Sequence, residues 1–253
     1  MSPGRIALVA AVVFATSVVG TITGGNSLVN VPVMILCGLE PRAAVATNMF
    51  AVTFMAFGAT VRFQRAKLVM SKLALPLCAI ALVTSAIGAR LTVALDEKSV
   101  KGIVAGSMVA MLLFMLARPR FGEAAVSPSG KRRAIGFVAA ALLGVYGGLF
   151  SGGYTTLLTF TCVAAFGLPL LSSVGLTKLV NLVSSGAATL VFLYSGVVDL
   201  RVGVPLAASM LVGGWVGAHL AIRKGERFVR VIFLLMIAAL AVKLLVFDLI
   251  LGR

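Results

Sequence analysis

Eight long apolar stretches run through this 253-residue chain, and no other feature constrains its fold as tightly. They occupy residues 5–37, 43–61, 69–93, 99–117, 134–166, 172–195, 198–222 and 229–251. A membrane-crossing helix needs about 18–20 consecutive apolar residues, because lipid cannot hydrogen-bond to an exposed backbone. Composition points the same way. The chain is 60% hydrophobic and 11% charged, with a mean hydropathy of +1.13. A soluble domain would need far more charge on its outer faces. An all-α polytopic membrane protein is the fold class these stretches predict.

The net charge of +15 would suit a nucleic-acid binder, but its placement does not. The bases stand in short loops between apolar stretches, as expected for cytoplasmic loops. No basic stretch is interleaved with aromatics for base stacking, so no nucleic-acid partner is expected. Cys37, Cys78 and Cys162 lie in or beside apolar runs without CxxC spacing and read as small buried hydrophobes. Arg5 followed by an apolar run resembles a signal peptide, but no small-residue cleavage site interrupts it, so retention is expected. The chain has no HExxH, GxSxG or Walker A pattern and a single histidine. It is therefore expected not to be an enzyme, with no catalytic residues, no metal site and no cofactor.

The stretches fall into two sets of four, which divides the chain into a first transmembrane repeat at 1–118, a basic linker at 119–133 and a second repeat at 134–253. The linker is rich in Pro, Gly and Ser. Gly38-Leu39 matches Gly167-Leu168, Pro76-Leu77 matches Pro205-Leu206, and Gly88-Ala89 matches Gly217-Ala218. Lys98 and Lys101 likewise match Arg227 and Arg230, all at an offset of 129 residues, which indicates internal duplication. The first segment of each set, 5–37 or 134–166, spans 33 positions and carries a glycine pair near its middle. One crossing takes about 20 residues and two take about 40, so a broken helix or a re-entrant hairpin is expected. Irregular backbone at that depth must be buried in protein or line a cavity.

Loop charge bears on orientation. Residues 62–72 carry four bases and no acid, 118–133 five bases and one acid, and 223–230 four bases and one acid. If all three face the cytoplasm, residues 134–166 return to the side they entered and the repeats are inverted. If that segment crosses once, the repeats are parallel and the loop at 223–230 breaks the positive-inside rule. The charges favour inversion.

The interrupted segments also mark the candidate binding site. Thr23, Gly24, Gly25, Asn26 and Ser27 form the first motif, and Ser151, Gly152, Gly153, Tyr154 and Thr155 the second. Glycine lets backbone amides approach a ligand, and helix N-termini favour anions. Close helix packing is the competing reading of the same glycines. Lys178 stands in an otherwise uncharged apolar stretch, and Thr177, Lys178 and Asn181 make a second candidate group. Lys178, Asn181 and Ser185 share one helix face. A mid-membrane lysine normally faces a partner or a cavity, and an anionic substrate would supply the counter-charge; snorkelling to the interface is the alternative. Thr47 and Asn48 are the counterparts of Thr177 and Lys178, with a helix-start hydrogen bond as the competing role. The stripe Ser209, Gly213 and Gly217, echoed by Thr84 and Gly88, reads as helix packing.

The Gly-rich turn followed by Pro32, Gly38 and Ala46-Thr47-Asn48 resembles the TauE/SafE family of sulfite exporters and toluene-sulfonate uptake permeases. The second half repeats the layout with Gly144, Gly147-Gly148, Gly152-Gly153, Gly167 and Thr177, and the resemblance covers nearly the whole chain. It implies a multi-pass transporter of the inner membrane, with Gly24, Gly25, Asn26, Thr47, Asn48, Gly152, Gly153 and Thr177 as ligands. Asn26 and Tyr154 stand where a third glycine is common, and Lys178 where a small polar residue is usual. The function expected is secondary transport of a small anion, such as sulfite, an organosulfonate or a carboxylate, by alternating access. A proton or sodium ion would couple it, membrane lipid would surround it, and a homodimer is an open arrangement. A passive anion channel is the alternative, and a membrane enzyme or assembly factor a more distant one.

Overall fold

Each overlong segment breaks where its glycines stand. The computed structural model describes residues 3–69, 72–117 and 129–249, and the regular elements among them are helices. In the first half they are α1 (Pro3–Thr23), α2 (Ser27–Leu36), α3 (Pro41–Arg65), α4 (Ala74–Ala94) and α5 (Glu97–Ala117). The second half has α6 (Gly130–Leu149), α7 (Tyr154–Phe166), α8 (Leu170–Tyr194) and α9 (Leu200–Leu249). The last of these bends at Gly225, whose φ is 75°. Among the described residues six stretches are long and apolar enough to cross a membrane: α1, α3, α4, α6, α8 and Leu200–Ile232 of α9. The protein is an all-α, multi-pass membrane protein.

The interrupted segments are re-entrant hairpins. The Thr16 hydroxyl of α1 donates to Asn30 Oδ1 of α2 at 2.6 Å, a contact out of reach unless α2 folds back along α1. In the second half Gly136, near the start of α6, lies against Ala165 and Phe166 at the end of α7. The Phe137 and Phe166 rings meet there at 5.1 Å between centroids. At 10 and 13 residues, α2 and α7 are too short to cross alone.

Backbone conformation repeats along with the sequence. Positive φ occurs at Gly24, Gly38 and Lys67, and again 129 residues later in each case, at Gly153, Gly167 and Gly196. The three turns of the first repeat therefore recur in the second.

Packing exchanges partners between the repeats. Gly213 of α9 faces Ser17 of α1, and Gly217 faces Thr21, while Gly88 of α4 faces Leu149 and Gly148 of α6. The long arm of each hairpin thus rests on a small-residue stripe belonging to the other repeat, where a missing Cβ lets backbones approach. Between them α3 and α8 pack antiparallel. Phe63 lies beside Gly175, the Thr53 and Thr189 hydroxyls meet at 3.1 Å, and Met49 shares a cluster with Phe192.

The basic loops gather at one end. Phe63, Leu68 and Val69 pack in one cluster with Leu170, Phe228 and Val229. The return of α7 to Gly136 brings the first turn of α6, with Lys131, Arg132 and Arg133, to the same end. At the opposite end Glu40, Arg42, Glu97, Gly196 and Asp199 line an open cavity of about 320 Å³. Residues 119–128 of the expected linker lie outside the described residues. Its last four positions are instead the first turn of α6, because Ser129 caps that helix by accepting the Arg132 N–H.

Candidate functional site

The two hairpins touch through their tips. Ser27 Oγ of the first and Ser151 Oγ of the second lie 2.7 Å apart, both buried. Asn48 Nδ2 of α3 donates to Ser27 Oγ at 2.9 Å, and the Thr156 hydroxyl of α7 donates to the Thr23 carbonyl. Gly24, at φ +87°, has no room for a side chain, since a Cβ there would stand 2.5 Å from the Thr156 backbone nitrogen. Gly152 fits between Phe150 and Leu28 across the same contact. Hydroxyl, amide and backbone groups from α1, α2, α3 and α7 thus converge on one buried polar layer.

Lys178 enters this layer from α8. It is 1% exposed, and its ammonium donates to the Gly20 carbonyl at 3.2 Å. Gly20 belongs to the last turn of α1, the end at which the helix dipole presents negative charge. Among the described residues no carboxylate pairs with Lys178. A charge at this depth costs about 2.5–3.5 kcal/mol on insertion scales, so a solitary ammonium is an exceptional feature. One residue earlier, Thr177 meets Thr159 of α7 at 3.1 Å, and Thr159 donates back to the Thr155 carbonyl at 2.7 Å. Asn181 is buried one turn further along α8.

Two polar ends in the layer lack a protein partner. Asn26 Nδ2 and Asn48 Oδ1 are buried without a hydrogen bond. Such groups cost about 1–3 kcal/mol when unsatisfied, and a bound ligand or water would satisfy them. Asn26 also lines a cavity of about 300 Å³ with Thr16, Gly20, Thr23 and Gly25.

The other expected site residues do different work. Thr47 turns to α9, where its hydroxyl accepts the Asp199 N–H at 3.0 Å, while Asp199 caps α9 by accepting the Arg201 and Val202 N–H groups. Tyr154 packs its ring on Gly147, in an apolar cluster with Leu158, Cys162 and Val180. Gly153 lies under the Met111 side chain of α5. Thr155 is buried against Gly24, so it stays with the tips. No group of three metal-ligating side chains occurs among the described residues.

Sequence reasoning passed over two carboxylates and a phenol. Glu97, at the start of α5, accepts the Arg42 N–H at 2.9 Å, and Glu226 accepts the Leu170 N–H at 2.9 Å. Each satisfies an orphan donor at the start of α3 or α8, where the dipole favours a negative charge. The first copy adds an ion pair, Arg42 Nε to Glu97 at 3.4 Å. The signal was present: these acids stand at the same offset of 129 as the matched basic pairs beside them. Tyr146 donates to the Gly152 carbonyl at 2.5 Å and lines an apolar cavity of about 420 Å³ with Met111.

Paired re-entrant hairpins, meeting at a buried polar layer within a jacket of apolar helices, make this a duplicated multi-pass membrane protein. It belongs to the sulfite exporter TauE/SafE family, whose family model matches residues 8–244. It is 26% identical over 234 residues to a probable membrane transporter protein, ORF9, of Sinorhizobium, covering 92% of this chain and 89% of that one. A probable membrane transporter protein of Haemophilus influenzae is 25% identical over 243 residues, covering 96% and 95%. The probable membrane transporter protein YfcA of Escherichia coli is 25% identical over 249 residues, covering 97% and 91%. The chain is thus a membrane transporter of the TauE/SafE family.

Proposed function

We propose that this transporter is a secondary carrier of a small anion, working by alternating access in the inner membrane. The observation that carries the reading is Lys178: a buried ammonium, with no carboxylate partner among the described residues, at the meeting point of the hairpin tips. An anion arriving there would supply the missing counter-charge and could accept from Asn26 Nδ2. A sulfonate, sulfite or carboxylate head has the charge and acceptor oxygens for both. The tips touch and close the layer, which supports alternating access over a standing channel. The antiparallel packing of equivalent helices α3 and α8 supports inverted repeats, and the clustering of basic loops supports placing their shared end in the cytoplasm.

Thermal unfolding of the purified protein with methanesulfonate, sulfite or acetate tests the charge class. A ligand present at 100 times its Kd adds about 2.7 kcal/mol to the folded state, which raises Tm by several degrees. Stabilisation by an anion that disappears in Lys178→Ala is the expected result. Equal response of both proteins to every anion would refute the site.

A further inference from the structure

Lys178 also ties the repeats together. It belongs to α8 of the second repeat, and the carbonyl it holds belongs to α1 of the first, one turn before the glycine break. Gly20 O already accepts the Gly24 N–H at 2.7 Å, so the ammonium completes the turn on which the first hairpin folds back. A neutral amine would keep its reach but lose the charge that binds it to this carbonyl end. The charge of Lys178 therefore bears on whether the hairpin stays docked.

Among the described residues the surroundings leave this as the group whose charge can change at that depth. From α7 and α4 the titratable neighbours are Tyr154, Cys162 and Cys78, gathered in one apolar cluster and uncharged near neutral pH. From α6 comes Tyr146, engaged with Gly152. Between Arg42 and Arg62, α3 carries no charge, and α2 carries none at all. From α9, His219 is turned to Arg62 and stacks on Trp215. Arg5 of α1 sits in that helix's first turn, at the far end from Gly20. Gly20 itself lines the cavity of about 300 Å³ beside the first hairpin, together with Asn26.

We propose that Lys178 is the coupling site of the transporter, binding one proton with each anion and holding the carrier shut when the proton arrives alone. The step is a simple proton transfer: an O–H bond of hydronium breaks as its proton adds to the Nζ lone pair, leaving ammonium and water. Protonated and without cargo, Lys178 grips Gly20 O and keeps the tips together. Protonated with the anion as its partner, it releases the carbonyl, and the hairpins can separate. Unprotonated, it holds neither, and the empty carrier can return. The locked state suppresses proton leak, so the cycle is a proton–anion symport that needs no sodium. This rests on the anion reading above, and the test separates the two.

The measurement is disulfide formation in the full-length protein in lipid nanodiscs, quantified by mass spectrometry of the linked peptides. The pair Ser27→Cys/Ser151→Cys reports tip contact, and Thr53→Cys/Thr189→Cys between α3 and α8 corrects for the thiols' own pH dependence. Between about pH 6 and about pH 10 the corrected tip linkage should fall at least about threefold with Lys178 present. It should stay high throughout in Lys178→Arg and low throughout in Lys178→Met. A flat response in the parent, or a titration surviving in either variant, overturns the proposal. The flat parent response is sufficient by itself, whether or not either variant folds. Adding methanesulfonate or acetate, neither of which reacts with a disulfide, at the low pH should lower tip linkage. If no anion does so while the pH response persists, the cargo reading fails and the proton site stands.

Discussion

At the scale of single residues, the paired glycines are not equivalent members of one motif. Each motif carries two adjacent glycines, Gly24-Gly25 and Gly152-Gly153, but positive φ falls on the first of one pair and the second of the other, at 87° in Gly24 and 82° in Gly153. An L-residue in the left-handed region costs about 1–2 kcal/mol before any clash. Gly24→Ala adds a Cβ against the Thr156 backbone, so we expect it to lower Tm by several degrees and reduce folded yield in detergent. Gly38→Ala, with no atom within 4 Å of its Cβ position, should show the backbone penalty alone. Comparing the two melts separates steric from conformational cost. Lys178 was legible as an anomaly because an isolated base stands out in apolar sequence. Its partner was not, since the Gly20 carbonyl belongs to the backbone and carries no signature in residue identity.

At the scale of helices, hydropathy delimited the stretches and the glycine stripes named the packing faces. The pattern did not reveal which helix each stripe meets. Gly213 and Gly217 meet α1, and Gly88 meets α6, so both contacts cross between repeats. Replacing Gly217 by Val should force α1 away from α9 and destabilise by about 1–3 kcal/mol, seen as a lower Tm. The paired carboxylates act on this scale too. Glu226→Ala leaves the Leu170 N–H without its acceptor and should cost about 1 kcal/mol, as loss of a helix cap does. Glu97→Ala should cost more, because Arg42 loses an ion-pair partner as well. Thermal unfolding of the two variants side by side checks the order.

For the whole molecule, orientation follows from which loops share an end. Residues 62–68 and 223–229 meet in one cluster, and Glu40 and Asp199 flank the cavity at the other end. Single cysteines at Lys67 and Lys224 should therefore react with an impermeant maleimide from the same face of sealed vesicles, and cysteines at Glu40 and Asp199 from the opposite face. Labelling of Lys67→Cys and Lys224→Cys from different faces would contradict the fold. The sequence alone determined that the chain spans a membrane, that its halves are duplicates, and that each opens with an interrupted segment. Those properties follow from hydropathy, residue spacing and the conformational freedom of glycine, all of which are local. Tertiary structure decided that the interrupted segments fold back as hairpins, that their tips meet through Ser27 and Ser151, and that Lys178 rests on a carbonyl of the other repeat. The physical reason is that the fold-back rests on a contact across a turn, Thr16 to Asn30, while the tip and Lys178 contacts join positions 124 and 158 residues apart in different repeats. No local pattern encodes the last two, because each exists only once the two repeats have packed against one another.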